Sequence, residues 1–229
     1  MPAYNAEKTL QQTFDDLPHH LIDSVILVDD ASKDATVDLA HKLNINVFVH
    51  DQNRGYGANQ KTCYSEALKE GASIIAMVHP DYQYDPTLLP DILRPLLNGS
   101  ADVVLGSRMI GTPAYKRGMP WWKYAGNILL TKLENIVFGL QLTEYHTGYR
   151  AYTSTVLKAL DLGGNSDGFI FDQEIITQIV EKKFRIGEVP VPVRYFPEAS
   201  SISFKSSVVY GCKILVLLCR YSLKSKPRD

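Results

Sequence analysis

The chain has 229 residues, of which 45% are hydrophobic and 21% are charged, and its formal net charge is −1. This length is sufficient for one large domain with a full hydrophobic core. A nearly neutral chain has no overall field that would recruit a polyanion, so we expect no nucleic-acid partner.

Strand-like and helix-like segments alternate along the first half of the chain. β-branched runs predict four strands, at 24–30, 45–50, 73–79 and 102–108. Helical spacing of apolar residues predicts three helices between them, at 32–43, 55–71 and 85–99. This order predicts a doubly wound, mostly parallel α/β sheet, with ligands at the carboxyl ends of the strands.

The second half has a less regular pattern. Residues 120–139 predict a long helix with an apolar face, and residues 171–184 predict another helix. The prolines within 186–196 are typical of an edge strand. Because no linker separates the two halves, we predict a single domain that covers residues 1–229.

The C-terminal region combines apolar and basic residues. Its most apolar run, residues 208–221, is interrupted by Lys213 and is too short to predict a transmembrane helix. An apolar helix with a basic end is typical of a peripheral helix on an anionic membrane, but a core helix with a solvated tail has the same pattern. Helical spacing puts Cys212 and Cys219 on one face, which we expect to be buried.

The expected compartment is the cytoplasm. The N-terminal residues lack the apolar segment of a signal peptide. The three cysteines, which include Cys63, show no paired spacing, and an odd, sparse set indicates reduced thiols.

Polar residues follow three of the predicted strands. Asp29 and Asp30 end the first, where carboxylates either bind nucleotide hydroxyls or simply cap the next helix. Gly55 and Lys61 lie in "NRGYGANQK" after the second strand, a weak signal for a phosphate-binding loop. The third strand ends in "HPDYQYDP", where an acid cluster could hold a metal ion.

Seven short motifs occur in order along nearly the whole chain: "PAYN", "VDDASKDAT", "NRGYGAN", "HPDYQYDP", "GSR", "HTGYRAY" and "FDQEI…GEVPVPVRYFPEASSI". In this series the chain resembles the family 2 glycosyltransferases, in the branch of the dolichyl-phosphate mannose and glucose synthases. The resemblance implies a GT-A fold, a nucleotide-diphosphate sugar as donor, Mg²⁺ or Mn²⁺ as cofactor, and inversion at the anomeric carbon.

The resemblance also divides the chain by role. Residues 1–110 would form the nucleotide-sugar half, residues 111–204 the acceptor side, and residues 205–229 an apolar helix with a basic tail. Donor-binding positions carried over by motif include Pro2, Ala3, Tyr4, Asn5, Glu7, and Asp29 or Asp30, with Arg194 in a loop that closes over the donor. Arg108 and Arg150 are candidate phosphate clamps because guanidinium groups match phosphate oxygens, although a salt bridge is the alternative.

The expected metal site departs from the family pattern. Family members carry Asp-x-Asp followed by Gln, and this chain has His79, Asp81 and Gln83 at the three positions. Asp81 and Gln83 therefore match, and Asp81 is the expected main ligand. His79 is either a ligand, which suits Mn²⁺ better than Mg²⁺, or an outer hydrogen-bonding group, or a structural residue.

The need for a catalytic base depends on the acceptor. A polyprenyl phosphate is largely anionic at pH 7 and can attack without losing a proton. A saccharide hydroxyl would require a carboxylate base, for which Glu144, Asp172 and Glu174 are the candidates. The aromatic helix and the basic C-terminal segment favour a lipid-phosphate acceptor, with the saccharide as the alternative.

Three other classes of protein share parts of the pattern. The pair Asp29 and Asp30, followed by Asp81 about fifty residues later, is also typical of a receiver-like signalling module. A sugar-nucleotide pyrophosphorylase would need a Gly-rich N-terminal loop, which is not found in "MPAYNAEK". The substitution at His79 also leaves open an inactive nucleotide-sugar-binding scaffold.

The first strand of the implied fold presents an anomaly. In that fold "PAYN" follows a strand inside the sheet, yet here it begins at Met1. We therefore expect the first strand to be missing, and hypothesise that the natural product begins upstream.

Overall fold

Seven strands and eight helices form the part of the chain that the structure, a computed structural model, describes, which is residues 1–192 and 204–225. The strands are β1 (Pro2–Ala3), β2 (Ile26–Asp29), β3 (Asn46–Val49), β4 (Ile74–Met77), β5 (Val103–Ser107), β6 (Arg150–Thr153) and β7 (Ile186–Pro190). The helices are α1 (Glu7–Asp15), α2 (Thr36–Lys42), α3 (Tyr56–Lys69), α4 (Leu89–Leu97), α5 (Trp121–Phe138), α6 (Ser154–Ala159), α7 (Phe171–Glu181) and α8 (Phe204–Ser225).

The strands form two sheets. β1, β2 and β3 are parallel neighbours in one, and the other has the order β4-β6-β5-β7. β7 runs parallel to β5, whereas β6 is antiparallel to both β4 and β5. The predicted α/β architecture is confirmed, but β6 was not predicted as a strand.

Parallel strand order brings the predicted polar residues to one edge. β5 is buried along its whole length, as expected for a strand covered on both faces. The carboxyl ends of β2, β4 and β5 lead to Asp30, His79 and Arg108, respectively. Residues far apart in sequence therefore meet at this edge of the two sheets.

The expectation of a missing first strand needs a partial correction. Pro2 and Ala3 form a short parallel ladder with Val28 and Asp29. The N-terminal ammonium group adds a hydrogen bond to the carbonyl of Ile26 at 2.7 Å. Two residues of a first strand are thus present beside β2.

The C-terminal helix also differs from expectation. α8 is longer than the apolar run recognised in the sequence, and by length and composition Phe204–Lys224 could cross a membrane. One face, with Ile214 and Leu218, packs into the core. The other face is exposed, and it includes Cys212 and Cys219, so the prediction that these cysteines are buried is wrong.

Candidate active site

The loop after β1 begins the predicted donor site. Pro2 and Ala3 are buried in β1, whereas half of the Tyr4 side chain is exposed. Asn5 has a left-handed backbone with φ of 52°, which Asn tolerates better than most residues. Glu7 then begins α1.

Hydrogen bonds clamp this loop to the loop after β2. The backbone N–H of Asn5 donates to Ser32 Oγ at 2.8 Å, and Asn5 Oδ1 accepts from the N–H of Lys33 at 2.9 Å. The N–H of Glu7 donates to Asp34 Oδ2 at 3.1 Å. The two motifs form one interlocked surface, and their contact with a donor stays a prediction.

Asp29 and Asp30 are both buried, and protein groups contact both carboxylates. Asp29 accepts from the N–H and the hydroxyl of Ser32. Asp30 accepts from the N–H groups of Arg54 and Gly55 at 2.8 and 2.9 Å, and His50 Nδ1 lies 2.7 Å away. Asp30 therefore fixes the glycine loop, and a nucleoside contact by either acid stays a prediction.

The glycine loop packs against a distant segment. Gly57 donates its N–H to the carbonyl of Asp167 at 2.7 Å, and a Cβ at Gly55 would lie only 2.8 Å from that carbonyl oxygen. Lys61 Nζ bonds to Asp167 Oδ1 at 2.8 Å. The structure therefore uses Gly55 and Lys61 to brace the 165–169 segment, a different role from the predicted phosphate contact.

A cavity of about 510 Å³ opens beside the end of β4. Five of the predicted site residues line it: His79, Asp81, Gln83, Arg108 and Asp172. Its polar end is formed by these side chains, and its other walls carry aromatic and aliphatic side chains, including Trp122, Leu130, Phe204 and Val208. A polar end with apolar walls suits a ligand that has both a charged and an apolar part.

The metal motif lies at the polar end. The imidazole of His79 stacks parallel to the Tyr56 ring, with 5.6 Å between centroids. Burial lowers the pKa of His79, outweighing the opposing effect of Asp81 and Asp172, so the ring is neutral and can act as a ligand. Its Nε2 is buried without a hydrogen-bond partner in the structure, next to Gly148, where a Cβ would come within 2.8 Å of that nitrogen.

These residues fit a divalent cation whose coordination shell is completed by water or by the bound substrate. In the described part of the chain, no three His, Cys, Asp or Glu side chains converge as a ready-made metal site. Asp81 offers a hard carboxylate, and the unsatisfied His79 Nε2 offers a nitrogen. A cation that keeps several waters or binds substrate phosphates needs only one or two such protein ligands.

Asp172 joins three elements on one wall of the cavity. It accepts from the Tyr56 hydroxyl at 2.8 Å and from Gln60 Nε2 at 3.2 Å, and Arg150 Nη1 lies 3.7 Å away. These contacts fix the position of the carboxylate but leave it able to accept further hydrogen bonds, so the base role of Asp172 stays a prediction.

Glu144 is fully buried behind the cavity wall. It accepts from the backbone N–H and Nε of Arg108 at 2.6 and 2.8 Å, and from Asn127 Nδ2 at 2.7 Å. Burial alone would raise the pKa of Glu144, but the Arg108 charge and these hydrogen bonds lower it. Because Glu144 is buried and ion-paired with Arg108, the geometry gives its predicted base role little support, and that role stays a prediction.

Two other predicted site residues have structural partners. Arg150 is buried and donates to the carbonyls of Thr147, Asp172 and Tyr145 at 2.6 to 3.0 Å. Glu174 accepts from the N–H of Ser166 at 2.6 Å. Arg150 thus braces the protein interior, and the half-buried Glu174 braces the loop at Ser166. The phosphate clamp predicted at Arg150 and the base predicted at Glu174 stay predictions. Arg194 lies outside the described residues.

A second buried polar cluster connects three helices beneath the cavity. His146 Nε2 lies 3.1 Å from the carboxylate of Glu134 on α5. Gln173 on α7 donates from Nε2 toward His146 Nδ1 at 3.0 Å and to the Tyr210 hydroxyl on α8 at 3.1 Å. The carbonyl of His146 also accepts from Arg108 at 2.7 Å, so the cluster supports the arginine at the polar end.

Sequence reasoning missed several cavity residues: Tyr56, Tyr84, Trp122, Lys123, Asn127, His146, Phe169 and Tyr210. Tyr56, Tyr84 and His146 lie inside three of the seven motifs, so their place in a motif was the one signal in the sequence that could have identified them. Trp122 lies in the helix predicted at 120–139, where an apolar residue is as expected for packing as for a site.

Comparison with known proteins identifies the family. The family described as glycosyl transferase family 2 matches residues 1–161, about 70% of the chain. The chain belongs to this family. This glycosyltransferase is 30% identical to a UDP-N-acetylglucosamine–dolichyl-phosphate N-acetylglucosaminyltransferase of Methanococcus voltae, over 95% of this chain and 92% of the relative. It is 29% identical to an undecaprenyl-phosphate mannosyltransferase of Micrococcus luteus, over 83% of this chain and 80% of the relative.

Solved structures confirm the fold of the glycosyltransferase. Glucosyl-3-phosphoglycerate synthase of Mycobacterium tuberculosis, in complex with UDP, superimposes with a TM-score of 0.72 at 16% identity. The match covers 96% of this chain and 78% of that one. Another structure of the same protein contains Mn²⁺, UDP and glucosyl-3-phosphoglycerate, with a TM-score of 0.70. Membership of the family removes the receiver and pyrophosphorylase alternatives.

Proposed function

We propose that this glycosyltransferase transfers a sugar from a nucleotide-diphosphate sugar to a polyprenyl phosphate, with inversion at the anomeric carbon. A phosphate oxygen of the acceptor attacks the anomeric carbon as the bond from that carbon to the diphosphate breaks. The electron pair of the broken bond leaves on the nucleoside diphosphate. The observation that carries the proposal is the cavity, whose lining combines charged side chains, Asp81, Arg108, Lys123 and Asp172, with apolar walls.

The hydrogen bonds of the three predicted base residues support a phosphate acceptor. Glu144, Asp172 and Glu174 all accept hydrogen bonds from protein donors. A polyprenyl phosphate is an anion at pH 7 and needs no base, whereas a saccharide hydroxyl does. The relatives named for dolichyl and undecaprenyl phosphate favour the same choice.

A divalent cation, Mg²⁺ or Mn²⁺, is proposed at Asp81, with Gln83 and His79 beside it. Bound there, it would stabilise the negative charge of the departing diphosphate. His79 donates a nitrogen, which favours Mn²⁺ over Mg²⁺.

Calorimetric titration with UDP, GDP and their sugar conjugates, with and without Mn²⁺, tests the proposed function. We expect one nucleotide to bind, more tightly with the metal, followed by transfer of its sugar to a polyprenyl phosphate. Binding of no nucleotide would contradict the proposal and favour the inactive-scaffold alternative. Transfer to a saccharide but not to a polyprenyl phosphate would favour the other acceptor class.

Arg108 and Lys123 are proposed to hold the acceptor phosphate. Both line the cavity, and the nearby charge of Arg108 adds to burial in lowering the pKa of Lys123. The charge of Arg108 thus disfavours the charged form of Lys123, and a phosphate anion bound beside both would offset this repulsion.

Replacing Lys123 with Gln should therefore raise the KM for a polyprenyl phosphate roughly tenfold, the loss expected for one charge-assisted hydrogen bond. Affinity for the nucleotide should not change. Lys132→Gln, an exposed lysine on the same helix, is the matched control. Equal effects of the two substitutions on this KM would show that the overall charge of the protein, rather than Lys123 itself, determines acceptor binding.

The exposed side of α8 is proposed to contact a membrane, at the cytoplasmic face, as a peripheral surface. We define the apolar face by Val208, Val209, Cys212, Leu215, Val216, Cys219 and Leu223, all exposed. Helix α5, which packs against α8, also exposes Trp121, Leu129 and Ile136. A helix that combines such a face with lysine and arginine binds anionic lipid surfaces.

The double substitution Val216→Glu and Leu223→Glu should reduce binding to phosphatidylglycerol vesicles by roughly tenfold or more, because two apolar anchors become anionic. Cosedimentation measures the effect. Leu97→Glu, at an exposed leucine of α4, is the control and should bind as the wild type does. If all three proteins cosediment equally, the apolar face is not the membrane contact.

A further inference from the structure

The cavity contains one large apolar side chain that the proposed chemistry leaves without a role. Phe169 lines the cavity, yet half of its surface is exposed. It packs on Tyr56, with 4.9 Å between ring centroids and 35° between the ring planes. Tyr56 in turn stacks on His79 of the metal motif. The two aromatic rings thus extend from the metal motif along one cavity wall.

Phe169 is exposed although the segment that carries it is firmly anchored. Ser166 donates its N–H to Glu174, and the Asp167 carbonyl accepts from Gly57. Lys61 bonds to the Asp167 carboxylate. The Tyr56 ring is likewise held, since its hydroxyl donates to Asp172 at 2.8 Å. A rigid aromatic surface facing a cavity gains free energy when a ligand covers it.

The chemistry around these rings indicates the ligand class. Aromatic faces carry negative partial charge. The C–H hydrogens on one face of a pyranose carry positive partial charge, because oxygen atoms are attached to the ring carbons. Carboxylates beside the rings, Asp81 and Asp172, suit the hydroxyl groups on the edge of the same sugar. A diphosphate at the metal motif would bring its attached sugar next to Tyr56.

We propose that Phe169, supported from below by Tyr56, forms an aromatic platform for the sugar ring of the donor, which makes Phe169 a residue that determines donor affinity and sugar preference. This inference rests on the proposed function and goes further by assigning the sugar subsite. Covering one face of the pyranose also fixes the anomeric carbon relative to the acceptor phosphate, an orientation effect.

The test compares a nucleotide-sugar with its own nucleotide by calorimetry in the presence of Mn²⁺. The probes are UDP-N-acetylglucosamine with UDP, and GDP-mannose with GDP. Replacing Phe169 with Ala should weaken binding of the nucleotide-sugar about five- to tenfold, the range for one aromatic contact, and leave the nucleotide unchanged. Phe169→Tyr should retain the wild-type ratio. Phe48→Ala, at an exposed phenylalanine on β3, should change neither.

The possible results separate the platform from the proposed function. If wild-type protein binds no nucleotide, the proposed function fails and the platform with it. If wild-type protein binds both members of a pair and Phe169→Ala weakens both equally, only the platform is overturned. An effect of Phe169→Ala confined to the KM of the polyprenyl phosphate would also overturn it, since the ring would then serve the acceptor.

Discussion

Replacing Asp81 with Asn is expected to reduce sugar transfer by about a hundredfold to a thousandfold, the usual loss for one electrostatic contact to a developing anion. In the proposed metal site this carboxylate is the hard oxygen ligand, and an amide has no charge with which to hold a divalent cation. Calorimetry supplies a readout independent of turnover: Mn²⁺ should no longer tighten nucleotide binding by the variant.

Asp91→Asn is the matched control for that substitution. Asp91 is an exposed carboxylate on α4 that pairs with Arg94 at 2.7 Å. Its loss should leave both transfer and Mn²⁺-dependent binding unchanged. If the Asp81 variant still shows tighter nucleotide binding with Mn²⁺, the metal assignment at this motif is wrong.

Replacing Arg150 with Met should destabilise the fold by about 3–5 kcal/mol, because it removes one partner of a buried charge pair. The guanidinium donates to three carbonyls and lies near the Asp172 carboxylate, and each of these buried groups would lose the contact with Arg150. The midpoint of urea unfolding measures the change, provided that the slope of the transition stays constant.

Arg185→Met provides the comparison for an exposed arginine. Arg185 bonds to Asp102 at 2.8 Å at the surface, where solvent screens the pair. Its unfolding midpoint should move far less than that of the Arg150 variant. Similar shifts would mean that the buried network contributes little, and would restore Arg150 as a candidate phosphate ligand.

The local pattern of apolar and polar residues was sufficient to predict most of the helices and strands. Helix α4 forms even though Pro95 lies inside it and Pro90 in its first turn, where proline is tolerated. Strand β6 escaped prediction because four residues beginning with a buried arginine carry no alternating pattern. Its place between β4 and β5 depends on pairing with residues more than forty positions away.

The same limit explains what was missed at the candidate site. The motifs located His79, Asp81, Arg108 and Asp172, since each lies near a strand or helix end. The partners that decide their roles are distant in sequence: Glu144 lies 36 residues from Arg108, and Tyr56 lies 116 residues from Asp172. Periodicity cannot report such contacts, so the ion pair between Arg108 and Glu144 could not be predicted from the sequence.

Helix α8 has two opposite sides with different surroundings. Tyr210 reaches the polar cluster of Gln173 and His146, while Val216 and Leu223 face outward. A displacement of the helix therefore moves the cavity wall at the same time. If a ligand on the outer side and a ligand in the cavity each prefer one position of the helix, their binding free energies are coupled. This coupling is reciprocal. A ligand in the cavity would then change the affinity of the outer side of α8 for its own ligand. Binding at the outer side would change the affinity of the cavity by the same factor.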